Sequence, residues 1–540
     1  MKHLKLAAAI LASVCAGSAF AQNHGQAEVS SAVQHDTLPS LRNVVVNPSD
    51  FKKMRERVEH DLPIPHVPDN QPDGALQNFS AHGGALAPTP GGGAASGILG
   101  VGKGFSGPNG SFTVQYAPPD TDGAVGATQY VQVVNTGMAV FDKATGAVVK
   151  GPIPTSALWS GFGGLCETDN DGDATVVYDK AAGRWVISQF AVSNAGTSSA
   201  PYLQCVAVSQ TSDATGAYNR YAFSYGTTFP DYPKTGVWPD GYYTTFNMFN
   251  GNSFAGAKLC AYDRNAMLSG AAATQQCFQL STSYGGVLPS DLDGTIAPPA
   301  GAPNYMLNYG SNSLNVWKFH VDWSNAANTS LTGPINLPVA AFAAACGGGT
   351  CIPQPGVSQK LDSLADRMMY RLAYRHFADG HEALVATHSV NPNGSTKNPR
   401  KQAAAVRWYE LRINNGTPSV YQQSTFNPDS TFRWMGSIAQ DKQGNIALGY
   451  SASSGTVRPA VRYTGRLATD ALNTMQTEAS IVEGGGSQTG SNLSRWGDYS
   501  AMSVDPADDC TFWFTSEYLQ ANGAFNWSTR IGSFKFAGCQ

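Results

Sequence analysis

The chain has 540 residues, with 34 Lys and Arg against 38 Asp and Glu, a net charge of −4 and only 13% charged side chains. A chain so poor in basic residues has no broad surface for phosphate, which excludes nucleic acid as a partner. Its 58 Gly and 10% aromatic residues fit an exported β-protein, and its length suffices for one large core or two.

The start reads as an address. Met1 to Lys5 is basic, Leu6 to Phe20 is apolar, and Ala19-Phe20-Ala21 is the small-residue pattern of a signal peptide cleaved before Gln22. Cys15 follows Val14, a poor context for lipid attachment. The apolar run is too short for a membrane span, and no later stretch approaches ~18 uninterrupted apolar residues. The expected location is therefore secreted or periplasmic, with no transmembrane anchor. Residues 22–110 read as a leader without a core of its own. One short helix is expected over 48–61, capped by Ser49 or Asp50. Pro63, Pro65 and Pro68 follow, then a Gly/Ala/Pro-rich linker from Gly83 to Gly102. A propeptide, a tether and a strap lying on the folded domain all fit this segment.

From residue 111 to 540 the strand signals are continuous, and one pattern recurs: a Gly/Asp/Trp-rich turn, an apolar strand, a tight turn and an aromatic-rich strand. Asp173-Ala-Thr-Val-Val-Tyr is answered by Arg184-Trp-Val-Ile-Ser, and Asp231-Tyr-Pro-Lys by Gly241-Tyr-Tyr-Thr. Asp366-Arg-Met-Met-Tyr is answered by Glu382-Ala-Leu-Val, Trp434-Met-Gly-Ser by Gly444-Asn-Ile-Ala, and Trp496-Gly-Asp-Tyr by Cys510-Thr-Phe-Trp. Hairpins at Gln129/Met138 and Asn304/Leu314 complete the series. Repeats of roughly 60 residues predict an all-β fold of radially arranged sheets, a β-propeller. The count gives seven blades, with six or eight as the alternatives because blade boundaries are soft. Eight cysteines follow the leader: Cys166, Cys205, Cys260, Cys277, Cys346, Cys351, Cys510 and Cys539. An even number in an exported chain favours disulfides, and sequential pairing keeps each bridge within one repeat or at its edge.

In a propeller the innermost strand of each blade starts beside the central channel. Aligning the repeats puts Asp173, Asp231, Asp366 and Asp498 just before that strand. Convergent carboxylates would bind a cation or supply an acid/base pair for glycoside cleavage, Asp366 and Asp498 being the catalytic candidates. The alternative is that each Asp caps its own tight turn, as a once-per-blade structural device does. Arg367, Arg371 and Arg375 share one face of a strand, and Arg433 and Arg495 each precede a Trp. Guanidinium groups at a channel would hold an acidic sugar bidentately; otherwise they pair with the recurring Asp residues between blades. Lys234, Trp434 and Trp496 fall in the same zone, the Trp rings either stacking on sugar or packing in the core. Asp169, Asp171 and Asp173 alternate as in a calcium loop, but Gly172 and Lys180 occupy the wrong places for an EF-hand. Calcium is the one cofactor this sequence suggests, with an acidic surface turn as the alternative.

Pro118-Pro-Asp-Thr-Asp-Gly-Ala-Val-Gly, the Asp173 repeat, and Arg495-Trp-Gly-Asp-Tyr-Ser with Asp508-Asp-Cys-Thr-Phe-Trp resemble a group of large exported bacterial propeller proteins with no agreed activity. Sialidases are a more distant architectural comparison. Their Ser-x-Asp-x-Gly-x-x-Trp turn is missing: Asp441-Lys-Gln-Gly comes nearest, with Ala439 where Ser belongs. No Gly-x-Ser-x-Gly, His-Glu-x-x-His or phosphate loop occurs, which disfavours peptidase and nucleotide chemistry. The expectation is a monomeric exported propeller that binds or processes an extracellular glycan, as a glycoside hydrolase or polysaccharide lyase acting on an acidic polymer. The alternative is a non-catalytic scaffold recognising a cell-envelope polymer or protein.

Overall fold

A computed structural model describes residues 24–46, 57–58, 62–65, 71–79, 97–192, 201–394, 398 and 401–540. The expected signal peptide, most of the expected 48–61 helix and most of the Gly/Pro-rich linker lie outside the described residues. Within the expected helix, Arg57–Val58 is a short strand running parallel to Tyr116–Ala117.

The described chain is almost entirely β, in antiparallel units that follow one another along the sequence. The first is Asp122–Val125, Gln129–Val134, Gly137–Asp142 and Val148–Pro154. The next begins at Thr175–Asp179 and ends at Tyr218–Ser224, with Gln34–Leu38 added outside it. Phe229–Trp238 opens another that ends at Thr274–Gln279, with Glu28–Ser31 outside. Two units beginning at Leu288–Asp293 and Met369–His376 fuse into an eight-stranded sheet, because those first strands pair in parallel, Ser290 opposite Leu372. Phe432–Gln440 and Ala501–Val504 open the remaining four-stranded sheets. Each first strand lies against the next, and Ala501–Val504 returns to Asp122–Val125, so the arrangement is propeller-like. The last sheet takes its outer strand, Ile98–Leu99, from ahead of the first, which fastens the ring.

Two of the repeats seen in the sequence are displaced. The Gln129/Met138 and Asn304/Leu314 hairpins are second and third strands, and the first strands there, Asp122–Val125 and Leu288–Asp293, went unrecognised. Both are short and carry acidic residues, so they lack the alternating apolar pattern that marks a strand.

Sheets pack face to face, so most strands are buried on both sides and read as continuous apolar or aromatic runs. Aromatic pairs bridge neighbouring sheets, Phe223 on Tyr262 at 4.6 Å and Tyr463 on Phe534 at 3.8 Å. Such pairs contribute about 0.5–1.5 kcal/mol each beyond their buried area. The disulfides are Cys166–Cys205, Cys260–Cys277, Cys346–Cys351 and Cys510–Cys539, the sequential pairing. The three longer loops stabilise by about 3–4 kcal/mol each in the chain-entropy account, and four bridges place the chain in an oxidising, extracytoplasmic setting. No helix among the described residues is long and apolar enough to cross a membrane.

Segments ahead of residue 111 are bound into the sheets. Asp36 accepts two hydrogen bonds of 2.7 Å from Arg220. Gln77 pairs with both backbone groups of Met475, and Asp73 meets Arg407 at 2.6 Å and Thr425 Oγ1 at 2.7 Å. Both side chains of the Asp73–Arg407 pair are fully shielded from solvent. Removing one partner of such a pair strands the other charge, at a cost of about 3–5 kcal/mol. Arg407→Met is therefore expected to lower stability by that order in urea unfolding, and Asp73→Asn combined with it to restore part of the loss. A leader that merely lies against the domain would show neither effect.

Candidate functional site

The channel end where the first strands begin gathers ionisable groups from several units. Asp120 and Asp173 precede the first two of these strands and adopt left-handed backbone, φ +45° and +46°, which Asp tolerates better than most residues. Asp120 Oδ1 accepts the Asp498 N–H at 2.7 Å and its Oδ2 accepts Asn135 Nδ2 at 2.8 Å. Asp173 Oδ2 accepts the Tyr232 N–H at 3.2 Å, and its own N–H donates to Asn135 Oδ1 at 2.9 Å. Each carboxylate thus reaches into a different unit. Lys234 is wholly buried, its Nζ 3.6 Å from the centre of the Tyr232 ring and 3.7 Å from that of Tyr499. Arg367 lies over the other part of this group, 4.7 Å from the Tyr232 ring, and pairs with Asp366. Arg495 pairs with Asp498.

Burial raises Asp120 well above the usual carboxylate range, reinforced by Asp498 and Asp173. Burial and the neighbouring Asp231 push Asp173 up to about 7, against the pull of Lys234. Burial also raises Glu517, whose carboxyl lies near Asp120 and Asp498, well above its ordinary value. Lys234 is brought down to about 8 by burial, opposed by Asp173, Asp498 and Asp120. Burial and mutual repulsion thus favour the protonated forms of these acids.

Deeper along the channel a second set repeats the theme. Asp122 Oδ2 accepts the Val176 N–H at 2.9 Å, Asp291 Oδ1 the Val237 N–H at 2.9 Å, and Ser437 Oγ the Met502 N–H at 2.9 Å. Arg371 joins Asp291 at 2.6 Å, Asp293 at 2.7 Å and the Met502 carbonyl at 2.9 Å, while Lys180 pairs with Asp293. Asp122, Lys180, Asp291, Asp293 and Arg371 line a cavity of only about 20 Å³, room for about one water molecule. Burial lifts Asp122 to about 7; Asp293, although buried, is drawn down to about 2 by Arg371 and Lys180.

The sequence candidates therefore separate. Asp173, Asp231, Asp366, Asp498, Lys234, Arg367 and Arg495 belong to the channel mouth or its neighbourhood. Arg371 lies deeper, and Arg375 deeper still, bonded twice to Asp509 at 2.7 Å. Arg433 does not share a partner with Arg495: Glu478 and Asp429 hold it within its own unit. Trp434 and Trp496 are buried core, 5.7 Å apart, and offer no face to a sugar. The calcium-type loop does not converge. Asp171 accepts the Val192 N–H at 2.8 Å, Asp169 accepts from Thr168, and Asp173 turns into the mouth. Among the described residues no three His, Cys, Asp or Glu side chains are placed to share a metal ion. Sequence reasoning missed Asp120, Asp122, Asn135, Asp291, Asp293 and Glu517. The Asp-x-Asp pairs at 120/122 and 291/293, each just ahead of a recognised hairpin, carried the signal.

No family model matches the chain, and no curated protein matches it. Among solved structures, a polysaccharide lyase, PL25 ulvan lyase, aligns with 11% identity over 82% of this chain and 94% of its own, at a TM-score of 0.34. An exo-β-1,3-galactanase from Clostridium thermocellum aligns with 11% identity over 82% and 97%, at 0.29. The WD40 domain of SCAP from fission yeast aligns with 7% identity over 75% and 82%, at 0.30. Likeness at this level says nothing about activity or substrate.

The raised carboxyls fix a sign for pH. Asp173 binds its proton more tightly folded than unfolded, so its contribution is full below about pH 4 and is lost as pH rises through about 7. Asp293, held near 2, adds slope only at the acid edge of that window, where the unfolded carboxyl is still partly protonated, and adds it equally to both proteins. Between about pH 4 and 7 the melting temperature of Asp173→Asn should fall less steeply than that of the native chain. Parallel slopes would contradict this assignment.

Proposed function

We propose that this chain is a secreted or periplasmic propeller of seven blades that acts as a monomeric binding scaffold for an extracellular glycan or cell-envelope polymer. The observation that carries the non-catalytic half is the pairing of the candidate chemistry. Asp366 is matched with Arg367, Asp498 with Arg495, Arg371 with Asp291 and Asp293, and Arg375 with Asp509. A lyase needs guanidinium groups open to a uronate, and a hydrolase needs a carboxyl pair flanking an open bond; here Asp366 and Asp498 are each closed by an arginine of their own loop, while Arg371 and Arg375 tie separate units together. Four disulfides support the address, and the low content of charged residues supports a polymer of sugars over a nucleic acid.

Processing of an acidic polysaccharide, as a glycoside hydrolase or polysaccharide lyase, is the second reading. It is favoured by the mouth itself, where Asp173 and Lys234 are held near neutrality beside Asp498, and where Asp231 is partly open to solvent. A panel of neutral and uronic polysaccharides, read by reducing ends, by absorbance of unsaturated products and by retention, separates the two. The binding reading predicts retention on a polymer without product, and predicts that Asp498→Asn and Arg367→Ala lower the melting temperature. Product release that vanishes in either variant while the fold stays intact would overturn it in favour of the enzyme.

A further inference from the structure

A groove on the outer rim, away from the channel, has the chemistry of a sugar site. It runs between residues 74–78, the outer strand Thr417–Phe426 and residues 472–474, and offers about 680 Å³ of space open to solvent. None of its lining side chains is charged. At its centre Tyr421 is 47% exposed, flanked by Leu76 at 48% and Leu472 at 46%, in a protein that buries nearly all its other aromatic rings.

Tyr421 is held out by construction. In the pairing of its strand with Ala405–Asn414, Glu410 faces Gln422 and Leu411 faces Val420, so Tyr421 is the extra residue of a β-bulge. A bulge re-aims one side chain away from the regular alternation. The ring is then fixed by Arg412, whose guanidinium lies 4.4 Å from its centre and is itself held by buried Glu410 at 2.5 Å. Two amides beside it are pinned by their oxygens. Gln423 Oε1 accepts the Ala340 N–H at 2.9 Å, and Asn473 Oδ1 accepts the Gln423 N–H at 3.0 Å. Their NH₂ ends are left as donors with no partner among the described residues.

We infer that this rim groove binds a neutral glycan chain, with Tyr421 as the stacking platform and the Gln423 and Asn473 amides as donors to hydroxyl groups. A pyranose presents an apolar C–H face and an equatorial rim of hydroxyls, which an exposed ring beside oriented amides complements. Uronic polymers fit less well, because Arg412 at the ring is already neutralised by Glu410, and Arg466, which also feels Tyr421, is buried and faces Glu410 and Asp470. An extended peptide fits less well too: the N–H groups of Gln423 and Thr425 already donate to Asn473 and Ala75, so this part of the strand edge is taken. The inference deepens the glycan reading and rests on it.

Affinity electrophoresis of the full mature chain through gels containing glucan, xylan, galactan, arabinan or uronic polymers tests both claims separately. Retention by at least one neutral polymer is expected, weakened about tenfold or more in Tyr421→Ala, a loss of ~1.4 kcal/mol or more, and preserved in Tyr421→Trp. Val45→Ser, which removes a still more exposed apolar group elsewhere, is expected to leave retention unchanged, and melting temperatures verify that all variants fold. Native retention that survives Tyr421→Ala would overturn the groove while leaving the glycan reading intact. Retention on uronic polymers alone would also overturn it. Retention on none would overturn both.

Discussion

The structure depends on one requirement: the channel-side edges of several innermost strands carry backbone N–H groups that no strand pairs. An exposed edge meets water, but here the edges face one another in a buried ring, where an unsatisfied donor costs about 1–3 kcal/mol. Side chains from the adjacent unit supply the acceptors. Asp122 reaches Val176, Asp291 reaches Val237 and Ser437 reaches Met502. Only between Leu288–Asp293 and Met369–His376 does a direct parallel ladder do the same work.

That arrangement explains why so many charges sit at the centre of a chain with few charges overall. Carboxylates chosen as acceptors for backbone donors must then be kept from repelling each other. Arg371 and Lys180 neutralise the deeper set, and Lys234, between two tyrosine rings, answers the set at the mouth. Where cations are too few, burial shifts the acids toward their protonated forms, as at Asp120 and Asp173. Perturbed acids in a cleft are a hallmark of active sites, and closing a ring of inner strands is itself a source of such perturbation. The rim has the opposite character, uncharged and open, with one aromatic ring displayed by a bulge.

Much of this was legible in the chain and some was not. The all-β repeat pattern, the sequential disulfides and the recurrence of Asp before an apolar strand are local signals, carried by residues such as Asp173 and Trp185. The two displaced repeats were not legible, because Asp122–Val125 and Leu288–Asp293 are short and acidic and look like loops. Their aspartates do the stitching, so the misplacement hid the role of the whole set. The partners of the arginines were invisible for a different reason: Asp509 and Asp293 lie 134 and 78 residues from the arginines they pair with. Tyr421 was missed because a bulge is a register event between two strands, and neither strand alone encodes it.

Native-state hydrogen exchange at the Val176, Val237 and Met502 amides tests the central claim most directly. If side chains from the neighbouring unit satisfy the inner edges, these amides exchange as slowly as the strand ladders. Replacing Asp291 by Ala then accelerates Val237 while leaving Val176 and Met502 protected. Rapid exchange at all three in the native protein, or no change at Val237 in that variant, would contradict the account and return the channel carboxylates to candidacy for chemistry.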